Sequence, residues 1–171
     1  MATSRIKAKG RREGGAFVPL PCSLLMHDNF IKLSSKSKGL LFDMLSQLRF
    51  KTGGSTNNGD LCVTASMMKE RGWNSNESLE LAIKELVYYE FILLTRQGGR
   101  NLPNLYALTF FAIDECGGKL NIKPTNIPPS QWKISKAKWK RPPRPPRLKK
   151  TLPRISPNHT PHNGEQGLKS D

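Results

Sequence analysis

Between Lys133 and Arg154 the chain carries ten cations and no acid. A shorter stretch, residues 1–12, holds five cations and again no acid. Residues 13–132 carry twelve cations against eleven acids, so the middle of the chain is almost neutral. Ten of the thirteen prolines fall between Pro124 and Pro161, across the same C-terminal flank. Chain so rich in Pro, Lys and Arg cannot bury enough apolar area to offset the entropy of ordering it. The pattern predicts basic, disordered or extended arms at 1–13 and 133–171, with polyproline II character around Arg141 to Arg147. Residues 14–132 are left as one domain, of a length that a single core usually serves.

The total of +15 over 171 residues predicts a polyanionic partner, because attraction to phosphate grows with clustered positive charge. Cys22, Cys62 and Cys116 are odd in number and lack CxxC spacing. They predict no disulfide framework and no structural zinc, and read as small buried hydrophobes in a reducing compartment. No apolar run approaches the ~20 residues a membrane span requires. The basic N-terminus has no apolar region before Gly14-Gly15, which disfavours a secretory leader.

Within the domain, Pro21 bends an apolar lead-in toward a short helical stretch, Ser23 to Asn29. Ser34 or Ser35 then caps a helix to about Phe50, with Leu40, Leu41, Met44, Leu45 and Leu48 as one apolar stripe. Residues 52–59 read as a loop, and Leu61 to Val63 as a very short strand. Thr64 caps a second helix, Ala65 to about Arg71, which Gly72 ends. After a tight turn, Asn74 or Ser75 caps a third helix in which Leu79, Ile83 and Leu86 share a face. Ile92 to Arg96 and Leu105 to Phe110 bracket a glycine-rich tip and read as a hairpin.

Helix, short strand, helix, tight turn, helix and hairpin, in that order, describe a mainly α domain with a small β-hairpin: a winged helix-turn-helix. The segments FVPLPCSLL, LSSKSKGLLFDML, NNGDL and MMKERGWNSNESLELAIKELVYYEFILLTRQGGRNLPNLYALTFFAIDE resemble winged helix-turn-helix proteins of bacteria, phages and mobile elements. More loosely, they are similar to the N-terminal domains of phage and plasmid replication initiators. The most specific pieces are RGW before a capped helix, ELVYYEFILLTRQGGRN and LYALTF. One departure is Tyr88-Tyr89-Glu90, where such proteins often place a glycine before the first wing strand. The resemblance implies binding to double-stranded DNA, in transcriptional regulation or mobile-element replication, with replication or transcription proteins as further partners. It also implies a cytoplasmic, nucleoid-associated bacterial protein.

On this reading Asn74, Ser75, Asn76 and Ser78, at the start of the third helix, face base edges; asparagine pairs bidentately with adenine. The competing reading of Asn74 and Ser75 is that they only cap the helix. Lys69, Arg71 and Lys84 would hold phosphates, and Arg96, Gln97, Arg100 and Asn101 would form the wing contact. Lys138, Lys140, Arg141, Arg144, Arg147, Lys149 and Lys150 would add phosphate contacts with little sequence information. Trp132 and Trp139 could instead stack on unpaired bases, and apolar residues near Phe110 to Ile113 could pair two copies. A protein-docking winged helix with nonspecific basic tails is the alternative that the neutral middle supports. Enzymatic readings find little: there is no phosphate-binding G-x-x-x-x-G-K-[ST] loop, and His27 is the one histidine of the domain. Asp114, Glu115 and Cys116 adjoin without a histidine nearby, so neither a metal nor a cofactor is expected.

Overall fold

The computed structural model describes residues 17–51 and 54–143. By internal contacts the chain divides after Arg141, and the part up to that residue forms the domain. Of the part beyond, only Pro142 and Pro143 are described, and they lack regular secondary structure. Arg144, Arg147, Lys149, Lys150 and the arm at 1–13 lie outside the described residues.

Among the described residues, five α-helices and small antiparallel sheets make a mixed α/β domain. The single stretch predicted over Ser23 to Asn29 is two helices, α1 (Cys22–Leu25) and α2 (Asp28–Lys32). His27 separates them in an extended conformation, and its Nδ1 accepts the Asn29 N–H at 3.2 Å as the cap of α2. Ser34 caps α3 (Ser35–Leu45), accepting the Ser37 N–H at 3.2 Å. The helix stops well short of Phe50. Asn57 reaches back to accept the Arg49 N–H at 2.7 Å and to donate to the Gln47 carbonyl at 3.0 Å. Phe50–Lys51 (β1) then pairs with Gly54–Ser55 (β2), so the predicted loop begins as a small hairpin.

β3 (Leu61–Cys62) lies at one edge of a three-stranded sheet in the order β3-β5-β4. Between β3 and β4 run α4 (Ala65–Lys69), capped by Thr64, and α5 (Asn76–Tyr88), capped by Ser75. β4 (Ile92–Arg96) and β5 (Leu105–Leu108) form the hairpin that follows α5. Leu40, Leu41 and Met44 of α3 meet Leu79, Ala82 and Leu86 of α5 in a core closed by Leu61, Ile92 and Leu108. Phe110 and Ile113, proposed above as an exposed pairing surface, are buried within the chain. No helix among the described residues is long and apolar enough to cross a membrane.

Two helix ends solve one problem with different residues. After α4, Gly72 takes φ +87°, and Trp73 N–H returns to the Met68 carbonyl at 3.0 Å. After α5, Glu90 occupies the equivalent left-handed position at φ +58°, while Phe91 N–H returns to the Leu86 carbonyl at 3.0 Å. This is the six-to-one closure that usually selects glycine. Glu90 therefore fills a corner that usually selects glycine, and Lys136 ion-pairs with it at 3.1 Å.

Composition places a domain boundary at 132, but the packing continues to Arg141. Trp132 is buried, stacked on Phe91 at 6.1 Å and edge-on to His27 at 5.2 Å. Its ring is thus unavailable to an unpaired base. Residues 133–141, hereafter the strap, leave a short 3-10 turn at Gln131–Lys133 and then lack regular secondary structure, yet side chains a hundred residues earlier hold them. Buried Asn29 donates to the carbonyls of Trp132 (2.8 Å) and Ile134 (2.7 Å) and accepts the Lys136 N–H at 2.9 Å. Ser135 donates to Asp28 at 2.7 Å, and Lys32 donates to the Lys136 carbonyl at the same distance. Composition misplaces the boundary because it registers only apolar burial, whereas this segment is ordered through its backbone polar groups.

Candidate functional site

The N-terminus of α5 presents an exposed polar surface. It exists because Trp73 and Ser75 fix the approach of the chain. Trp73 donates its indole N–H to Asp43 at 2.8 Å, and Lys36 lies 5.6 Å from the Trp73 ring centroid. Ser75 accepts the Ser78 N–H at 3.2 Å, so its hydroxyl is committed to capping. Asn74 and Asn76 are exposed, and neither side chain makes a hydrogen bond within the described residues. Ser78 is half-buried. Of the four residues singled out for base contact, two are thus presented freely, one caps and one sits partly under cover.

Along the solvent face of α5 stand Glu77, Glu80 and Lys84, all exposed. Glu77 is met by Arg141 of the strap at 2.6 Å. Lys69 is exposed at the last turn of α4. Arg71 reaches Asp43 at 3.3 Å, the carboxylate that also holds Trp73. Asp43 is a residue that sequence reasoning missed: it stands on α3, and nothing local announces that it steadies the turn before α5.

The tip of the β4–β5 hairpin is ordered by local bonds. Gly99 and Leu102 exchange hydrogen bonds of 3.0 and 3.1 Å around Arg100 and Asn101, the latter at φ +63°. Asn104 accepts the Gly98 N–H at 2.6 Å and a bond from Gln97 at 3.3 Å. Arg100, Asn101 and Leu102 are left exposed at the end. Arg96 is turned back, donating to the Pro103 carbonyl at 3.4 Å with its Nε buried and unpartnered. The tip therefore presents one arginine and not two.

The strap adds Lys138, Lys140 and Arg141, all exposed, while Trp139 between them packs partly against the core. Tyr89, buried just past the end of α5, accepts the Trp139 N–H at 2.9 Å through its hydroxyl.

Elsewhere, Asp60, Asp114, Glu115, Cys116 and Lys119 border a depression of about 510 Å³. Asp114 is occupied by Ser55 (3.0 Å) and the Asn58 N–H (2.7 Å), and Asp60 by Lys119 at 2.6 Å. Burial, with help from Asp60 and Asp114, pushes the Cys116 thiol up to about 11. A thiol held protonated is a poor nucleophile and metal ligand at neutral pH. Among the described residues no group of three or more His, Cys, Asp or Glu is placed to hold a metal.

No family model, no curated protein and no solved structure matches the chain.

Proposed function

We propose that the domain is a winged helix-turn-helix that binds double-stranded DNA, with α5 as the reading helix and the β4–β5 hairpin as the wing. One observation carries this reading. On either side of the capping Ser75, Asn74 and Asn76 stand exposed without partners at the start of a helix preceded by α4 and a tight turn and followed by a hairpin. Such side chains at the start of a groove-sized helix are the groups that discriminate base edges, at about 1–3 kcal/mol for a good bidentate pair. Arg100 at the hairpin tip suits a minor groove or a phosphate, and Lys69 and Lys84 suit flanking phosphates. Sequence-specific binding of this kind would serve transcriptional regulation or the replication of a mobile element.

Selection from random duplexes at near-physiological salt, with the full-length protein and with Asn76→Ala/Ser78→Ala, tests the reading. A motif that the variant loses, while it keeps nonspecific affinity, supports it. Enrichment without a motif in either case overturns it. The second reading, a winged helix that docks protein, draws on Glu77 and Glu80 on the face of α5. It requires DNA affinity to be unchanged in that variant.

A further inference from the structure

The strap runs antiparallel along one flank of α5. Tyr88, in the last turn, donates to the Ala137 carbonyl at 3.2 Å, and Arg141 meets Glu77, in the first turn, at 2.6 Å. At a rise of roughly 1.5 Å per residue, Tyr88 to Glu77 is about 17 Å of helix. The chain from residue 137 to 141 reaches at most about 13 Å, and the arginine side chain supplies the remainder. The two segments are therefore matched in length as well as direction.

Along this path the strap turns in at Lys136 and Trp139 and out at Ala137, Lys138, Lys140 and Arg141. Trp139 turns inward, its N–H held by Tyr89, while Lys138 and Lys140 on either side of it are exposed. Lys136 is drawn in as well, donating to the Tyr88 carbonyl at 2.8 Å. This arrangement leaves two uncommitted ammonium groups, Lys138 and Lys140, on a segment fixed beside the helix. Arg141, for its part, ion-pairs with Glu77 of the first turn.

We infer that the strap is a built part of the DNA-binding surface: a phosphate-gripping ledge at a fixed offset from α5, contributing Lys138 and Lys140, with Arg141 neutralising Glu77. This rests on the duplex-binding reading above and goes beyond it. A loose basic tail would raise affinity at any position along the duplex. A ledge fastened to Asn29, Tyr88, Tyr89 and Glu77 grips phosphates at one set distance from the bases that α5 contacts.

The test uses the full-length protein and its selected duplex. A photo-activatable benzophenone side chain is introduced in place of Lys84 in one sample and of Lys140 in another, and the crosslinked nucleotides are mapped. Both positions are expected to give discrete crosslinks within about 5 base pairs of each other, half a helical turn. Discrete crosslinks from position 84 with scattered ones, or none, from position 140 would overturn the ledge and leave the reading helix standing. Absence of a motif and of discrete crosslinks from both positions would overturn the DNA-binding reading itself. As an independent measurement, Lys138→Gln/Lys140→Gln should lower the salt slope of binding by about 2. The affinity lost between 50 and 200 mM salt would then shrink roughly tenfold with the motif unchanged. An unaltered slope overturns the ledge.

Discussion

The strap and the tip of the β4–β5 hairpin are both irregular, polar and exposed to solvent, yet they are held in opposite ways. Every bond that shapes the tip joins residues at most seven positions apart: Gly99 with Leu102, Gly98 and Gln97 with Asn104, Arg96 with Pro103. The strap is held by side chains more than forty positions away, and Asn29 reaches it across 107. The tip carries its geometry in its own sequence, whereas the strap borrows it from α2 and α5. Loss of one distant side chain should therefore release the strap, while the tip should answer only to changes within itself.

The largest effect is expected from Asn29→Ala. It removes three hydrogen bonds and leaves buried carbonyls and an N–H unpaired, for a loss of about 3 kcal/mol in urea unfolding. Tryptic cleavage after Lys133, Lys136 or Lys138 should accelerate together with it. Lost stability without faster cleavage would show that Tyr89 and Arg141 hold the strap unaided.

Next in size is Gly98→Ala. A Cβ there would lie 2.6 Å from the Leu102 carbonyl oxygen and 2.7 Å from Asn104 N, both backbone atoms that cannot turn aside. The cost should be about 2 kcal/mol. Gly99→Ala meets nothing within 4 Å and should cost under about 0.5 kcal/mol. Similar effects at the two glycines would show that the tip is less rigidly fixed than its bonds suggest.

The smallest effect is acid release of the strap. Bonds from Lys32 and Ser135 hold the Asp28 carboxyl below its ordinary 3.8. A carboxylate depressed in the folded state stabilises above its unfolded value and loses that contribution as pH falls through the folded one. Amide protection at Lys136 and Trp139, corrected for intrinsic exchange, should thus decline below pH 3.8 before the sheet's does. Simultaneous loss would tie the strap to global unfolding.

The same division explains what could be read in advance. Thr64 as a cap, Gly72 as a helix end and the pairing of β4 with β5 all depend on neighbours in sequence, and each is where the pattern puts it, while Ser34 and Ser75 are the caps taken from the pairs Ser34 or Ser35 and Asn74 or Ser75. The end of α3 was misplaced because Asn57, twelve residues past Leu45, takes the polar groups that further helix would have used. Asn74 and Asn76 were legible as the exposed start of α5. The partners of Arg141 and Arg71 were not: Glu77 and Asp43 lie 64 and 28 positions away. A basic run advertises its charge, but not which of its members the fold has already used.

Glu85 carries a mechanical consequence. Buried on α5, its carboxylate accepts the Ser34 N–H at 3.1 Å together with the hydroxyls of Ser34 and Ser37. It thereby completes the start of α3 from a different helix. Turning α5 by even one residue, about 100°, would withdraw that carboxylate and leave several donors stranded in the interior. The two helices are geared: the azimuth at which Asn76 faces solvent is set by a tooth on the far side of the same helix, engaged with α3.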